Sequence, residues 1–270
     1  MRLLFSVFVL CTVLVVGGVM FLEESFIFFP TRYPTGDWGA PERGPCQPED
    51  VYLRAADGTE LHGWYFSGPV DAPTILFFHG NAGNLSDRYP WSCSLSGLPA
   101  NVLSVDYRGY GRSEGKPSEA GLYLDAEAAY HYLRKERGVA PEKLIVYGKS
   151  LGGATACELA QRFEVGALVL QSTFTTAADM ARLMMPMIPS ALLRTRFDNL
   201  AKVSQVKVPK LIIHSRADEM IPFGMAEKLY EAAPEPKTLA VFEGAGHNDL
   251  IWRHREGVLR AFGALLEELP

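Results

Sequence analysis

From residue 50 onward, short apolar runs alternate with longer stretches in which apolar residues recur every three to four positions. The runs cover residues 74–78, 101–105, 143–147, 167–170, 210–213 and 237–242, and the periodic stretches cover 119–137, 152–163, 223–232 and 248–266. Runs of Val, Ile, Leu and Phe without polar alternation suit strands buried on both faces, as in a parallel sheet covered by helices. Two further strands, 51–54 and 60–66, flank Asp57-Gly58, a hairpin signal. The pattern predicts an α/β domain over residues 50–270, built on a mostly parallel sheet of about eight strands.

Two segments break this rhythm. Between Gln171 and Pro209 the connection is too long for a simple loop, and it carries Met180, Met184, Met185 and Met187. Such a stretch is usually functional or a small subdomain, and it is expected to form a short lid over about residues 174–206. Ahead of the domain, residues 3–22 are apolar but for Ser6, Thr12 and Gly17-Gly18. At a rise of ~1.5 Å per residue this run reaches about 30 Å, enough to cross a bilayer's hydrocarbon core. It lacks an A-x-A cleavage site and continues toward Phe26-Ile27-Phe28-Phe29, which favours an uncleaved anchor over residues 1–24 rather than a cleaved signal. Arg2 before the run and Glu23-Glu24 after it orient the N-terminus inward and the domain outward. A Pro-rich linker over residues 25–49 follows.

Composition narrows the partners. A net charge of −5 without a basic cluster argues against nucleic acid. Neither the cysteines nor the histidines fall at metal-ligand spacing, so neither a metal nor another cofactor is expected. Cys46 and Cys93 could pair in an oxidising compartment, whereas Cys157 falls in a helical stretch and reads as core.

The pattern G-x-S-x-G occurs twice, at Ser113 and at Ser150, and context separates the two. Leu144-Ile145-Val146-Tyr147 runs as a strand straight into Gly148-Lys149-Ser150-Leu151-Gly152, and Gly153-Ala154-Thr155-Ala156 opens a helix with small residues. That is the strand–turn–helix a nucleophilic serine needs to stand clear of a sheet, with the helix N-terminus adding positive partial charge beside it. Ser113 has neither flank, because Lys116-Pro117 blocks an immediate helix; it reads as a structural loop residue. Gly148-Lys149-Ser150 also imitates the end of a phosphate-binding loop, but Lys143 occupies the place of that motif's first glycine.

A serine hydroxyl becomes nucleophilic when a histidine takes its proton and a carboxylate fixes that histidine's tautomer. Asp218 closes a turn after the strand Leu211-Ile212-Ile213, with Glu219 as a substitute acid. His247 is presented by Gly244-Ala245-Gly246 after the strand ending at Phe242. An acyl-transfer oxyanion needs two donors; the backbone N–H groups of Leu151 and Asn81 are the candidates, with His79 bracing the Asn81 loop.

Four blocks carry a family likeness: Phe78-His79-Gly80-Asn81-Ala82-Gly83-Asn84, Asp106-Tyr107-Arg108-Gly109-Tyr110-Gly111-Arg112-Ser113, Gly148-Lys149-Ser150-Leu151-Gly152-Gly153 and Gly246-His247-Asn248-Asp249. Together they resemble the α/β-hydrolase superfamily over residues 50–270. Within it they resemble the membrane-anchored α/β-hydrolase-domain proteins related to the protein depalmitoylases. The resemblance implies catalytic Ser150, Asp218 and His247 and a structural Asp106 block. An apolar run stands here where depalmitoylases proper carry a cysteine-rich tail. The expected activity is hydrolysis of a carboxylic ester or thioester through an acyl-serine, on a small-molecule or lipid-like acyl substrate. An aminopeptidase-like amidase and a non-catalytic membrane-tethered binding protein are the alternatives.

Overall fold

The computed structural model describes residues 23–187 and 189–269, so the apolar run 3–22 lies outside the described residues. Eight strands make one sheet: β1 (Glu49–Arg54), β2 (Glu60–Phe66), β3 (Thr74–Phe78), β4 (Asn101–Val105), β5 (Leu144–Lys149), β6 (Ala167–Gln171), β7 (Lys210–Ser215) and β8 (Lys237–Phe242). Their order across the sheet is β1-β2-β4-β3-β5-β6-β7-β8. β2 pairs antiparallel with β1 and with β4, and every later pairing is parallel. This is the α/β-hydrolase architecture expected from the sequence, with the leading hairpin forming one edge.

The helices are α1 (Ala40–Arg43), α2 (Leu85–Leu95), α3 (Glu119–Lys135), α4 (Leu151–Arg162), α5 (Ala177–Met184), α6 (Asn199–Val203), α7 (Phe223–Ala232), α8 (Leu250–Arg253) and α9 (Arg255–Glu267). The two-residue alternation of strands divides the core between them. Leu76, Phe78, Leu144, Val146, Leu168 and Leu170 face one side, where α3, α4, α6 and α7 add Leu122, Leu159, Val203 and Leu229. Ile75, Phe77, Ile145, Tyr147, Ala167 and Val169 face the other, where α2, α8 and α9 add Trp91, Leu250 and Phe262. Both faces are covered, which is why the central strands carry no polar alternation.

Several boundaries differ from the sequence expectation. β5 runs on through Gly148 and Lys149, and Lys143 belongs to a 3-10 turn ahead of it. α2 carries no helix-length apolar period: it contains Pro90 and three serines. It forms because Asn84 and Asp87 cap its N-terminus reciprocally and because Leu85, Tyr89, Trp91 and Leu95 are buried against the sheet. The last periodic stretch divides at His254, whose ring donates to the Glu243 carbonyl at 2.8 Å and whose backbone leaves the helical region.

The segment before the domain lies against it. Residues 23–27 form a helical turn, and Pro30 and Arg32 make single bridges to Gly83 and Gly111. Phe28 is buried against Phe197, with ring centroids 6.2 Å apart. A Cys46–Cys93 disulfide, with Cα atoms 5.6 Å apart, ties this segment to α2, while Cys157 is free and buried. Among the described residues no helix is long and apolar enough to cross a membrane.

Phe262 is fully buried and meets the Tyr147 ring edge-on at 5.0 Å, beneath the strand that carries Ser150. Phe262→Ala is expected to lower the unfolding free energy by about 3–5 kcal/mol, read from the denaturant midpoint.

Candidate active site

The parallel strands deliver their C-terminal loops to one edge of the sheet. Ser150 follows β5, Asp218 follows β7, His247 follows β8, and the His79–Asn84 loop follows β3. Ser150 adopts φ 53° and ψ −117°, a left-handed conformation that L-residues seldom hold without support from around them. That support is visible. The Ser150 amide donates to the Gln171 carbonyl at 2.8 Å, and the Thr173 hydroxyl donates to the Ser150 carbonyl at 2.6 Å. Glycines make room for the turn: a Cβ on Gly148 would strike the Gly152 carbonyl, and one on Gly152 would strike that of Phe78. The start of α4 can therefore press backbone to backbone against the ends of β3 and β5.

The sequence-predicted triad comes together. His247 Nδ1 donates to Asp218 Oδ2 at 2.9 Å, and the Ser150 hydroxyl donates to His247 Nε2 at 3.0 Å. The carboxylate acceptor at Nδ1 dictates this tautomer and leaves Nε2 free to take a proton. Asp218 Oδ1 accepts the amides of Met220 at 3.0 Å and Ile221 at 2.8 Å. Burial pushes the Asp218 pKa up, but the hydrogen bond and charge of His247, with the Ile221 amide, outweigh it and hold the carboxyl below its ordinary value. Glu219, the substitute acid, instead accepts the His247 backbone amide at 3.0 Å. It positions the histidine's loop rather than its ring.

The candidate oxyanion donors flank Ser150. Leu151 is the first residue of α4, so its N–H has no intrahelical acceptor. An ideal Cβ on Gly80 would stand 3.6 Å from that of Ser150, which brings the Asn81 loop alongside Ser150. The Asn81 side chain fixes this loop: Oδ1 accepts the Phe29 amide at 3.1 Å and the Tyr110 hydroxyl at 2.9 Å, and Nδ2 donates to the Ile27 carbonyl. His79 Nδ1 donates to the Gly80 carbonyl at 2.6 Å, its Nε2 lies 3.3 Å from Asp106, and the Tyr107 hydroxyl donates to its carbonyl. Ser113 is buried; its hydroxyl donates to the Asp106 carbonyl and accepts the His62 amide. Both His79 and Ser113 hold the loop.

Above the triad lies a chamber of about 560 Å³, walled largely by apolar side chains that include Phe26, Ile27, Phe174, Met180, Met185 and Leu193. Ser150, Leu151, Asn81 and His247 line it. α5 supplies Met180 and Met184; Met184 borders the chamber and is 65% exposed, and Met187, past the end of α5, is 91% exposed, so neither Met184 nor Met187 serves as core packing. Asp179 and Arg182 pair with each other at 2.6 Å, and Arg194 lies 3.6 Å from Glu23, whose carboxylate accepts the Arg194 and Thr195 amides. Among the described residues no cluster of His, Cys, Asp or Glu is arranged to hold a metal.

Some neighbours of the site are not evident in the sequence. His214 lies 3.4 Å from Asp218 Oδ2, the same oxygen that accepts from His247, and its Nε2 donates to the Ile221 carbonyl. Phe26 and Ile27 reach the chamber only because the leading segment folds back. Lys149 and Arg88 also line it. One signal for Lys149 was available: it continues the alternation of Ile145 and Tyr147, a cation on an otherwise apolar strand face.

The comparisons agree with this architecture. A family described as alpha/beta hydrolase fold matches residues 73–200. The uncharacterized protein Rv2307c of Mycobacterium tuberculosis is 37% identical over 241 residues, covering 86% of this chain and 84% of that protein. The uncharacterized protein YfhR of Escherichia coli K12 is 37% identical over 226 residues, covering 80% and 78%. Among solved structures, the esterase Pf2001 of Pyrococcus furiosus superposes with a TM-score of 0.73 at 22% identity, covering 90% of this chain and 97% of that one.

Asp218 gives the site an acid sensitivity of known sign. Its folded pKa lies below the reference 3.8, so its contribution to stability is full above that value and is lost as pH falls through the lower folded value. The melting temperature of the wild type should therefore fall more steeply below about pH 4 than that of Asp218→Asn. Parallel acid limbs in thermal scans would refute the assignment.

Proposed function

The chain belongs to the α/β-hydrolase fold family, together with Rv2307c and YfhR, and on that basis we propose that it is a serine hydrolase cleaving a carboxylic ester or thioester. The observation that carries this reading is the continuous hydrogen-bonded line from Ser150 through His247 to Asp218. His247 takes the Ser150 proton as the hydroxyl oxygen attacks the acyl carbon. The oxyanion that forms is held by the backbone N–H groups of Leu151 and Asn81. His247 then passes its proton to the departing alcohol or thiol, leaving an acyl-Ser150 that a water molecule hydrolyses by the reverse proton path. Asp218 holds the ring and stabilises the imidazolium without itself taking the proton.

The chamber supports an acyl chain as the group bound next to Ser150. Its apolar wall and its flexible thioethers fit varied hydrocarbon shapes. An aminopeptidase-like amidase would need carboxylates gripping a free amine. The charged groups bordering this chamber are Arg88 and Lys149 against Asp87, an arrangement that repels an amine. Several esterases share the fold, among them Pf2001 and the acetyl xylan esterase of Paenibacillus.

We extend the proposal to location. The apolar run 3–22 anchors the chain in a bilayer, and residues 26, 27 and 29, a few positions beyond it, border the chamber. The mouth of the site is thereby held near the lipid surface, where Met184 and Phe29 are exposed. The Cys46–Cys93 disulfide favours a catalytic domain on the oxidising side of that membrane. The likeness to membrane-anchored relatives of the depalmitoylases, carried by the four motif blocks, fits the same arrangement.

A fluorophosphonate probe is expected to label the wild type and not Ser150→Ala. Hydrolysis of p-nitrophenyl esters should fall about 10⁴-fold in Ser150→Ala, while Ser113→Ala keeps its labelling and loses only stability, about 1–3 kcal/mol for the orphaned His62 amide. Absence of labelling in the folded wild type would sink the catalytic reading. Preferential turnover of aminoacyl amides over esters and thioesters would overturn the substrate class.

A further inference from the structure

Beside the apolar chamber is a second cavity of about 240 Å³, and the two share Asp87, Arg88, Lys149 and Asn248 along their common border. The remaining walls of the smaller cavity are Phe77, Trp91, Ile251 and Trp252. Its polar groups are unusual for how little they are used. Lys149 is only 7% exposed, yet its ammonium has neither a hydrogen-bond nor an ion-pair partner among the described residues. Arg88 donates through Nη2 to the Ala82 carbonyl, but its Nε is buried without a partner, and it too makes no ion pair among the described residues. Asp87 is committed elsewhere, since its Oδ2 accepts the Asn84 amide in the cap of α2 at 3.0 Å. Two cations without an ion-pair partner and one carboxylate line this cavity, an excess of positive charge on its wall that Asp218, acting on Lys149, and Asp106, acting on Arg88, offset only in part. Its aromatic and aliphatic walls keep the dielectric low and the field strong.

A largely buried lysine whose ammonium has no hydrogen-bonded counter-charge is unfavourable. Burial and the neighbouring Arg88 press Lys149 toward losing its proton, bringing its pKa down to about 8, while Asp218 opposes them. An anion in the cavity would relieve that pressure.

The geometry points to the smaller cavity as a binding site for an oxyanion, a carboxylate or phosphate, on the half of the substrate that does not occupy the apolar chamber. This inference rests on the reading of Ser150 as the nucleophile of an ester or thioester hydrolase. Lys149 immediately precedes Ser150, and Asn248 immediately follows His247, the residue that protonates the leaving group. The substrate class is then an acyl ester whose alcohol half is anionic: hydrocarbon toward the methionines of α5, scissile carbonyl at Ser150, negative group between Lys149 and Arg88. Lys149 and Arg88 act as specificity residues, distinct from the groups that move protons.

The test compares matched octanoyl esters on the full chain: propyl octanoate against 3-(octanoyloxy)propanoate, and 1-octanoylglycerol against 1-octanoylglycerol 3-phosphate. The wild type should favour the charged member of at least one pair by about tenfold in kcat/KM, as a charge-assisted contact implies, and the favoured pair identifies carboxylate or phosphate as the anion. Lys149→Met should bring that ratio to within about threefold of parity, and Arg88→Gln should reduce it independently. Because each ratio is taken on one preparation, a variant that folds incompletely changes both rates alike and leaves the ratio readable. Turnover of the neutral esters without any preference for the charged ones would overturn this inference and leave the hydrolase reading standing. So would a preference that survives both substitutions. No turnover of any ester together with no fluorophosphonate labelling would overturn both.

Discussion

Everything at this site depends on how closely the first turn of α4 can approach the ends of β3 and β5. Gly148 and Gly152 stand where a Cβ would meet backbone carbonyls, and Gly153 faces the Thr173 side chain. Only because those positions are bare can Ser150 sit at φ 53° on a turn narrow enough to lift its hydroxyl off the sheet. The strain of such a residue is of the order of 1–3 kcal/mol, and it persists because the surrounding hydrogen bonds leave the turn no alternative. β6 supplies them, through Gln171 and, just after it, Thr173.

A second layer of structure keeps the neighbouring loop in place. Asp106, fully buried, accepts the Leu85 amide at the start of α2 and lies against His79. Tyr107 and Tyr110 hold the His79 carbonyl and the Asn81 side chain. The Asp106–Ser113 block and the His79–Asn84 block are thus one physical unit, with Ser113 closing it from the strand β2 side. The same unit receives the leading segment, because Asn81 also bonds the backbone of Ile27 and Phe29. The path of the N-terminal segment and the position of a candidate oxyanion donor are therefore coupled, through Asn81 and through the bonds of Gly83 and Asn84 to residues 30, 31 and 35.

The substrate space follows from these supports. α5 and the leading segment wall the apolar chamber, and α2 brings Arg88 to its border beside Lys149. Neither wall belongs to the sheet. The sheet fixes Ser150, Asp218 and His247, while elements laid over its edge decide what can reach them, a division of labour common to open α/β sheets.

The sequence by itself determined the sheet, because strands buried on both faces read as uninterrupted apolar runs, and it determined the tight turn at Ser150, because the glycine spacing of a strand–turn–helix is written locally. Asp218 and His247 were legible for the same reason: each ends a short turn directly after a strand. The rest was decided by tertiary contacts. α2 escaped notice since Pro90 and its serines mask a helix that caps and burial hold together. Asp218 was the acid expected from the sequence, with its neighbour Glu219 as a substitute; the fold gives the first the histidine ring and the second the histidine amide. The methionines of the 171–209 connection could have been core or chamber wall; the fold packs Met180 against the core and along the chamber, and leaves Met184 exposed at the chamber's border. Lys149 was visible as a cation on an apolar strand face, but its pairing with Arg88, from a helix more than fifty residues earlier, was not. A local sequence pattern records the backbone it must fold into, whereas a binding surface assembled from distant segments leaves no spacing to read.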